Sequence, residues 1–355
     1  MIPASMPGAQ APAVGYSGSM SRGVTIDGAD EALRLTGRID YDDPAGPRFA
    51  WPGTSIEARF VGSSVAIRLR GSSDHFGVTL DGAARPVLVA TPDQERYPIA
   101  DGLPEGPHHL SIYKRTEPLV GETQLLGVEL APGGRMLPLP PRPARRIELV
   151  GDSVTAGFGV LGDRETPFSA ETEDFGLSYG SLTARALGAE AIAVAWSGRG
   201  ICRNYADEPG DPMLALYERT LPSRADSRWD FARWVPHLVV INLGTNDFSL
   251  DGRPETAFVD AYRALLRRVR SVYPGAHVFC AIGPLLDGEA LGAARACVAD
   301  AVERARADGM SRVQTIEHPT QRPEDGYGCD GHPSPTTHRL MAAQLTAAAR
   351  ATLGW

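Results

Sequence analysis

A chain of 355 residues exceeds what one compact core comfortably holds, so two domains are expected. With 43% hydrophobic and 22% charged residues it has the balance of a globular chain, which excludes a largely disordered one. A formal net charge of −8 repels phosphate backbones and disfavours nucleic acid as a partner, and no apolar run is long enough to span a bilayer.

Residues 1–22 are small and rich in Pro, Gly and Ser, the composition of a disordered segment. They lack the basic start and the continuous apolar stretch of a signal peptide, so by sequence the chain reads as cytoplasmic. From 23 to 137 a period of two governs the pattern. Ser64–Arg70, His75–Leu80, His109–Lys114 and, more weakly, Gln124–Leu130 alternate larger apolar side chains with small or polar ones, as half-buried strands require. His75–Leu80 ends in Asp81-Gly82, a turn-forming pair. Short strands between turn residues, with no helical stretch, predict an antiparallel β-sandwich. Residues 138–145 then form a connector: Leu137 to Pro143 holds four prolines in seven residues, which neither a strand nor a helix accepts. Its arginines, Arg142 and Arg145, with Arg146 beside them, read as solvated.

The rhythm changes over 146–355. Ile147–Val150, Ala191–Trp196, His237–Leu243, His277–Ile282 and Val313–Ile316 read as five short apolar strands. Phe258, Tyr262, Leu265, Leu266, Val269 and Val272 share one helical face that ends at Pro274-Gly275; Ala290–Ala307 is a second helix. A last helix starts from Ser334 as N-cap with Pro335 in its first turn. Strands alternating with helices predict a parallel sheet covered on both faces.

Ligands of such sheets gather beyond the carboxyl ends of the strands. The polar residues of interest fall there. Gly151-Asp152-Ser153 follows the first strand, Ser197-Gly198-Arg199-Gly200 the second, Gly244-Thr245-Asn246-Asp247 the third, and Asp330-Gly331-His332 precedes the last helix. A hydroxyl nucleophile needs a base to take its proton and donors aimed at the oxyanion it creates. Ser153 and His332 suit the first pair of roles. The Ser153 N–H, the Asn246 amide and a backbone N–H at Gly198 or Gly200 suit the second. Asp152 and Asp247 read as carboxylates that stabilise their turns. The four cysteines, Cys202, Cys280, Cys297 and Cys329, form no CxxC pair, and no histidines have metal-ligand spacing, so neither a metal nor another cofactor is expected. Trp196, Tyr205 and Trp229 are candidates for stacking on a ligand ring, with burial in the core as the competing reading.

These blocks resemble the GDSL/SGNH hydrolases: Gly151-Asp152-Ser153 their first block, Gly198 the second, Gly244-Thr245-Asn246-Asp247 the third, and His332 the last. With the all-β half, the stretch His109–Glu117, the proline connector and Arg146–Ser153 included, the whole chain is similar to carbohydrate esterase family 2. The resemblance implies a flavodoxin-like three-layer α/β SGNH-hydrolase domain preceded by a jelly-roll-like sandwich. It also implies a secreted, cofactor-free serine esterase that takes acetyl groups from O-acetylated carbohydrate. It assigns Ser153 as nucleophile, His332 as base, and Ser153, Gly198 and Asn246 as the oxyanion hole. The broad superfamily places its triad aspartate three residues before the histidine, where this chain has Cys329. Asp330, two before, matches the closer spacing of family 2, in which some members orient the histidine through backbone carbonyls instead. Two rival readings stand beside this one: a broad or lipid acyl-ester hydrolase on the same scaffold, and a carbohydrate-binding protein without activity.

Overall fold

The computed structural model describes residues 23–249 and 253–355; the segment 1–22, expected to be disordered, lies outside the described residues. The period-two stretches form two antiparallel sheets. One orders Val24–Asp27, Thr123–Leu130, Val65–Arg70 and Arg96–Ala100. The other orders Arg135–Met136, Ser55–Val61, Pro107–Lys114, Asp74–Leu80 and Ala83–Ala90. Alternation turns Ile56, Phe60, Phe76 and Ile112 of the second sheet onto Ile67, Leu69, Leu125 and Val128 of the first, in one apolar core. Asp81 and Gly82 both take positive φ (53° and 79°), the backbone that a two-residue hairpin with matching twist requires. They join Asp74–Leu80 to Ala83–Ala90.

The second half is a five-stranded parallel sheet: β1 (Arg145–Gly151), β2 (Ala189–Ala195), β3 (Leu238–Asn242), β4 (His277–Ile282) and β5 (Val313–Glu317), in the order β2-β1-β3-β4-β5. Helices α1 (Tyr179–Leu187), α2 (Glu255–Val272), α3 (Gly288–Ala307) and α4 (Pro335–Leu353) complete three layers. Ile147, Leu149, Val240 and Phe279 turn to α1 and α4, while Val150, Val239, Ile241 and Cys280 turn to α2 and α3. Burial on both faces is why these strands read as continuous apolar runs. Truncating one such residue, Leu149 for example, costs about 2–5 kcal/mol. The chain leaves β1 first for β2 and then for β3 on the other side, which makes the carboxyl end of β1 the topological switch point, the place where ligands of such sheets gather. Among the described residues no helix is long and apolar enough to cross a membrane.

Three particulars depart from the sequence reading. Helix α1 was not legible, although Ser178 caps its start and Gly188 closes its end in the left-handed region. The connector is exposed, as read, but also pinned: Arg142 pairs with Glu190 at 2.6 Å and Arg145 donates to the Leu187 carbonyl at 2.8 Å. Trp229 is buried in the core of the α/β half, so it offers no face to a ligand. All four cysteines are free.

Candidate active site

Ser153 opens a single helical turn, Ser153–Ala156, directly after β1. Asp152 caps that turn by accepting the Val154 N–H at 3.1 Å, and Gly157, at φ 84°, ends it. Burial raises the Asp152 carboxyl to about 7, against the lowering effect of the Val154 hydrogen bond. The Ser153 N–H stands at the first helical position, where no intrahelical acceptor exists.

His332 arrives from the opposite side, two residues ahead of the N-cap of α4. Ser334 accepts the N–H groups of Thr336 and Thr337 at 3.1 and 3.2 Å, which fixes the chain's entry into that helix. The imidazole Nε2 lies 2.9 Å from Ser153 Oγ and Nδ1 lies 3.2 Å from the Cys329 carbonyl oxygen. A carbonyl only accepts, so Nδ1 carries the proton and Nε2 is left to accept from the serine hydroxyl. Burial holds the His332 pKa below its ordinary 6.5, with the Cys329 carbonyl and the Asp330 charge pulling the other way. The ring is therefore neutral at pH 7, in the state a base requires. Phe158 lies against it at 4.4 Å between centroids and stacks on Phe168 at 3.9 Å.

Asp330 does not hold the histidine ring. It is an exposed residue with φ 53°, and its carboxylate accepts the Phe168 N–H at 3.3 Å. The hydrogen-bond partner of His332 Nδ1 is the Cys329 carbonyl, while Asp330 bonds the backbone of the segment that carries Phe168 and acts on the ring through its charge.

The second and third strand ends meet beside Ser153. The Asn246 amide donates to the Arg199 carbonyl at 3.0 Å, and one of its two hydrogens remains uncommitted by that bond. Asp247 accepts the N–H groups of Ile201, Cys202 and Arg203 at 3.0, 3.0 and 2.9 Å, the turn-stabilising duty read from sequence. Gly198 and Gly200 are now distinguishable. The Gly200 N–H points to Asn204 at 3.4 Å and its Cα has no room for a side chain, since a Cβ would sit 1.9 Å from the Arg203 carbonyl. Gly198, at φ 75°, has no acceptor for its N–H among the described residues, and a Cβ there would meet nothing nearer than Glu208 at 4.0 Å. Trp196 is half-buried with the Arg199 guanidinium 4.9 Å over its ring, while Tyr205 is exposed.

Sequence reasoning missed Phe158, Phe168 and Glu117. Glu117 reaches the Ser197-Gly198 turn from the β-rich half and accepts the Ser197 N–H at 2.5 Å and its hydroxyl. No spacing marks a contact across 80 residues.

The chain is similar to known proteins over both of its halves. The family description "Carbohydrate esterase 2 N-terminal" matches residues 35–140, and "GDSL-like Lipase/Acylhydrolase family" matches 149–340. A family two carbohydrate esterase from Clostridium thermocellum, solved in complex with cellohexaose, superposes with a TM-score of 0.88. It is 40% identical, over 91% of this chain and 99% of that one. The cellulase/esterase CelE of Acetivibrio thermocellus is 40% identical over 93% of this chain, which spans only 41% of that relative's length. An acetylxylan esterase / glucomannan deacetylase of Cellvibrio japonicus is 29% identical over 95% of this chain and 93% of its own. A β-rich domain of the family two type in front of a GDSL-like hydrolase domain makes this chain a member of carbohydrate esterase family 2.

Proposed function

We propose that the chain is a serine esterase that removes acetyl groups from O-acetylated carbohydrate. His332 Nε2 takes the Ser153 proton as Oγ bonds to the acetyl carbonyl carbon, and the carbonyl π pair moves onto its oxygen. That oxyanion is met by the Ser153 N–H, the Gly198 N–H and the Asn246 amide. Collapse breaks the bond to the sugar oxygen, which leaves with the proton from His332. Water then attacks the acetyl-serine with the same histidine as base, and acetate departs. One observation carries the reading: the 2.9 Å contact of Ser153 Oγ with an imidazole whose other nitrogen is committed to a carbonyl. The carbohydrate part of the reading draws on the relatives, one solved with cellohexaose and another called an acetylxylan esterase / glucomannan deacetylase. We place the domain boundary in the 138–145 connector, between the strand ending at Met136 and the one starting at Arg145.

Hydrolysis of 4-nitrophenyl acetate, butyrate and octanoate, with acetate release from acetylated xylan and glucomannan, tests it. Rates fall with acyl length, EDTA leaves them unchanged, and Ser153→Ala lowers kcat by a factor on the order of 10⁴ or more. A preference for octanoate moves the reading to a longer-chain esterase. Turnover retained in Ser153→Ala removes the nucleophile.

A further inference from the structure

The Gly198 N–H works only if its turn stays put. A side chain built at Gly198 would meet nothing nearer than Glu208 at 4.0 Å, so no neighbour crowds its Cα, and the turn is held by hydrogen bonds. The hydrolase domain supplies anchors around and after it: the Tyr205 N–H on the Gly198 carbonyl at 2.8 Å, the Arg199 N–H on the Trp196 carbonyl at 3.3 Å, Asn246 on the Arg199 carbonyl and Asp247 on the N–H groups of residues 201–203. The N–H and the hydroxyl of Ser197, the residue whose peptide bond carries the Gly198 N–H, are instead held from the other domain. Glu117 accepts both the N–H and the hydroxyl of Ser197.

Glu117 is itself rigidly held. Its N–H donates to Glu173 at 3.2 Å, and the Lys114 ammonium donates to its carbonyl oxygen at 3.2 Å. Lys114 also reaches Asp74 at 2.7 Å, and all of Asp74, Lys114, Glu117 and Glu173 are buried. Burial raises the Glu117 carboxyl to about 7 and lifts Glu173 well above the ordinary range, with the Glu117 charge adding to the latter. Two carboxyl groups facing each other out of water are a costly way to join two domains, which apolar side chains do at less expense. The arrangement makes sense if the geometry at Ser197 is what it secures.

We propose that Glu117 is a positioning residue for ester hydrolysis: a carboxylate of the β-rich domain that clamps Ser197 so the adjacent Gly198 N–H stays aimed at the oxyanion beside Ser153. The inference rests on the esterase reading above. The β-rich domain thereby completes the active site as well as flanking it.

The test compares Glu117→Leu, which fills the space without accepting a hydrogen bond, with Glu117→Gln, which still offers an oxygen to the Ser197 N–H. On 4-nitrophenyl acetate the leucine variant loses kcat on the order of 100-fold at unchanged KM, because the donor it misaligns acts only in the transition state. The glutamine variant recovers to within about tenfold of wild type. If the leucine variant does not fold, Ser197→Ala decides, with kcat down about tenfold and KM unmoved. Wild-type kcat in a folded Glu117→Leu, or in Ser197→Ala where leucine fails, overturns the clamp. Ser153→Ala runs alongside: activity surviving there defeats the esterase reading, while its loss with Glu117→Leu intact defeats the clamp alone.

Discussion

Arg38 and Glu117 both leave the β-rich domain as completely buried charges and end in the hydrolase domain, but what each meets there differs. Arg38 pairs with Glu148 on β1 at 3.2 Å and donates to the carbonyls of Tyr217 and Arg219, among the rings of Tyr217, Trp229 and Phe231. Glu148 in turn accepts the Tyr217 hydroxyl at 2.7 Å. That network meets β1 at Glu148, the strand's middle residue, and none of its bonds goes to a residue of the site. Glu117 lands on the turn beside Ser153, and its partners lead to Gly198. Equal burial thus serves two ends, docking in one case and geometry at the site in the other. The contrast teaches that a buried charge is interpreted by where its hydrogen bonds lead.

That contrast breaks in definite ways. The largest effect belongs to the site itself: His332→Ala lowers kcat by a factor on the order of 10⁴ or more while leaving the unfolding midpoint close to wild type. Arg38→Ala does the reverse. It strands the Glu148 charge, costing about 3–5 kcal/mol in urea unfolding, while the folded enzyme turns over at nearly the wild-type rate. A large loss of kcat in folded Arg38→Ala would erase the distinction between docking and site geometry. Asp330→Ala, which removes an exposed carboxylate that bonds Phe168 rather than His332, lowers kcat by less than about tenfold. A loss of 10³-fold there would return the triad role to Asp330. The smallest effect is in pH dependence. Burial depresses the His332 pKa, so the neutral base persists to lower pH and the acid limb of kcat/KM has its midpoint below 6.5. The Asp330 charge raises that pKa, so Asp330→Ala moves the midpoint slightly further down.

Most of the fold was legible because its signals are local. The strands around Ile67, Phe76 and Ile112 follow from alternation, and those around Leu149 and Val240 follow from apolar runs buried on both faces. The start of α4 at Ser334-Pro335 is written in capping chemistry. Helix α1 was lost because Gly180 and Thr183 dilute its pattern: Gly180 is there for close packing, since a Cβ would meet Leu149 at 2.3 Å, and Thr183 returns its hydroxyl to the Tyr179 carbonyl. Of the site, the residues read from strand ends are the ones the structure brings together, Ser153 within 2.9 Å of His332 and Asn246 bonded to the second strand's turn at Arg199. The site was opaque where the partner is a backbone atom or the other domain. A Cys329 carbonyl orienting His332 carries no residue signature, and an acidic residue two positions away offered a plausible substitute. Glu117 lies 80 residues from Ser197, and only the packing of two domains brings them together.

The account stands on a covalent acetyl-Ser153 intermediate formed by His332. Mixing the enzyme with 4-nitrophenyl acetate, quenching in acid within the first turnovers and mapping the peptides by mass spectrometry tests it directly. The account predicts one acetyl group on the peptide carrying Ser153, absent in Ser153→Ala and accumulating more slowly in His332→Ala. Turnover with no acetylated peptide, or with the acetyl group on another side chain, would contradict it.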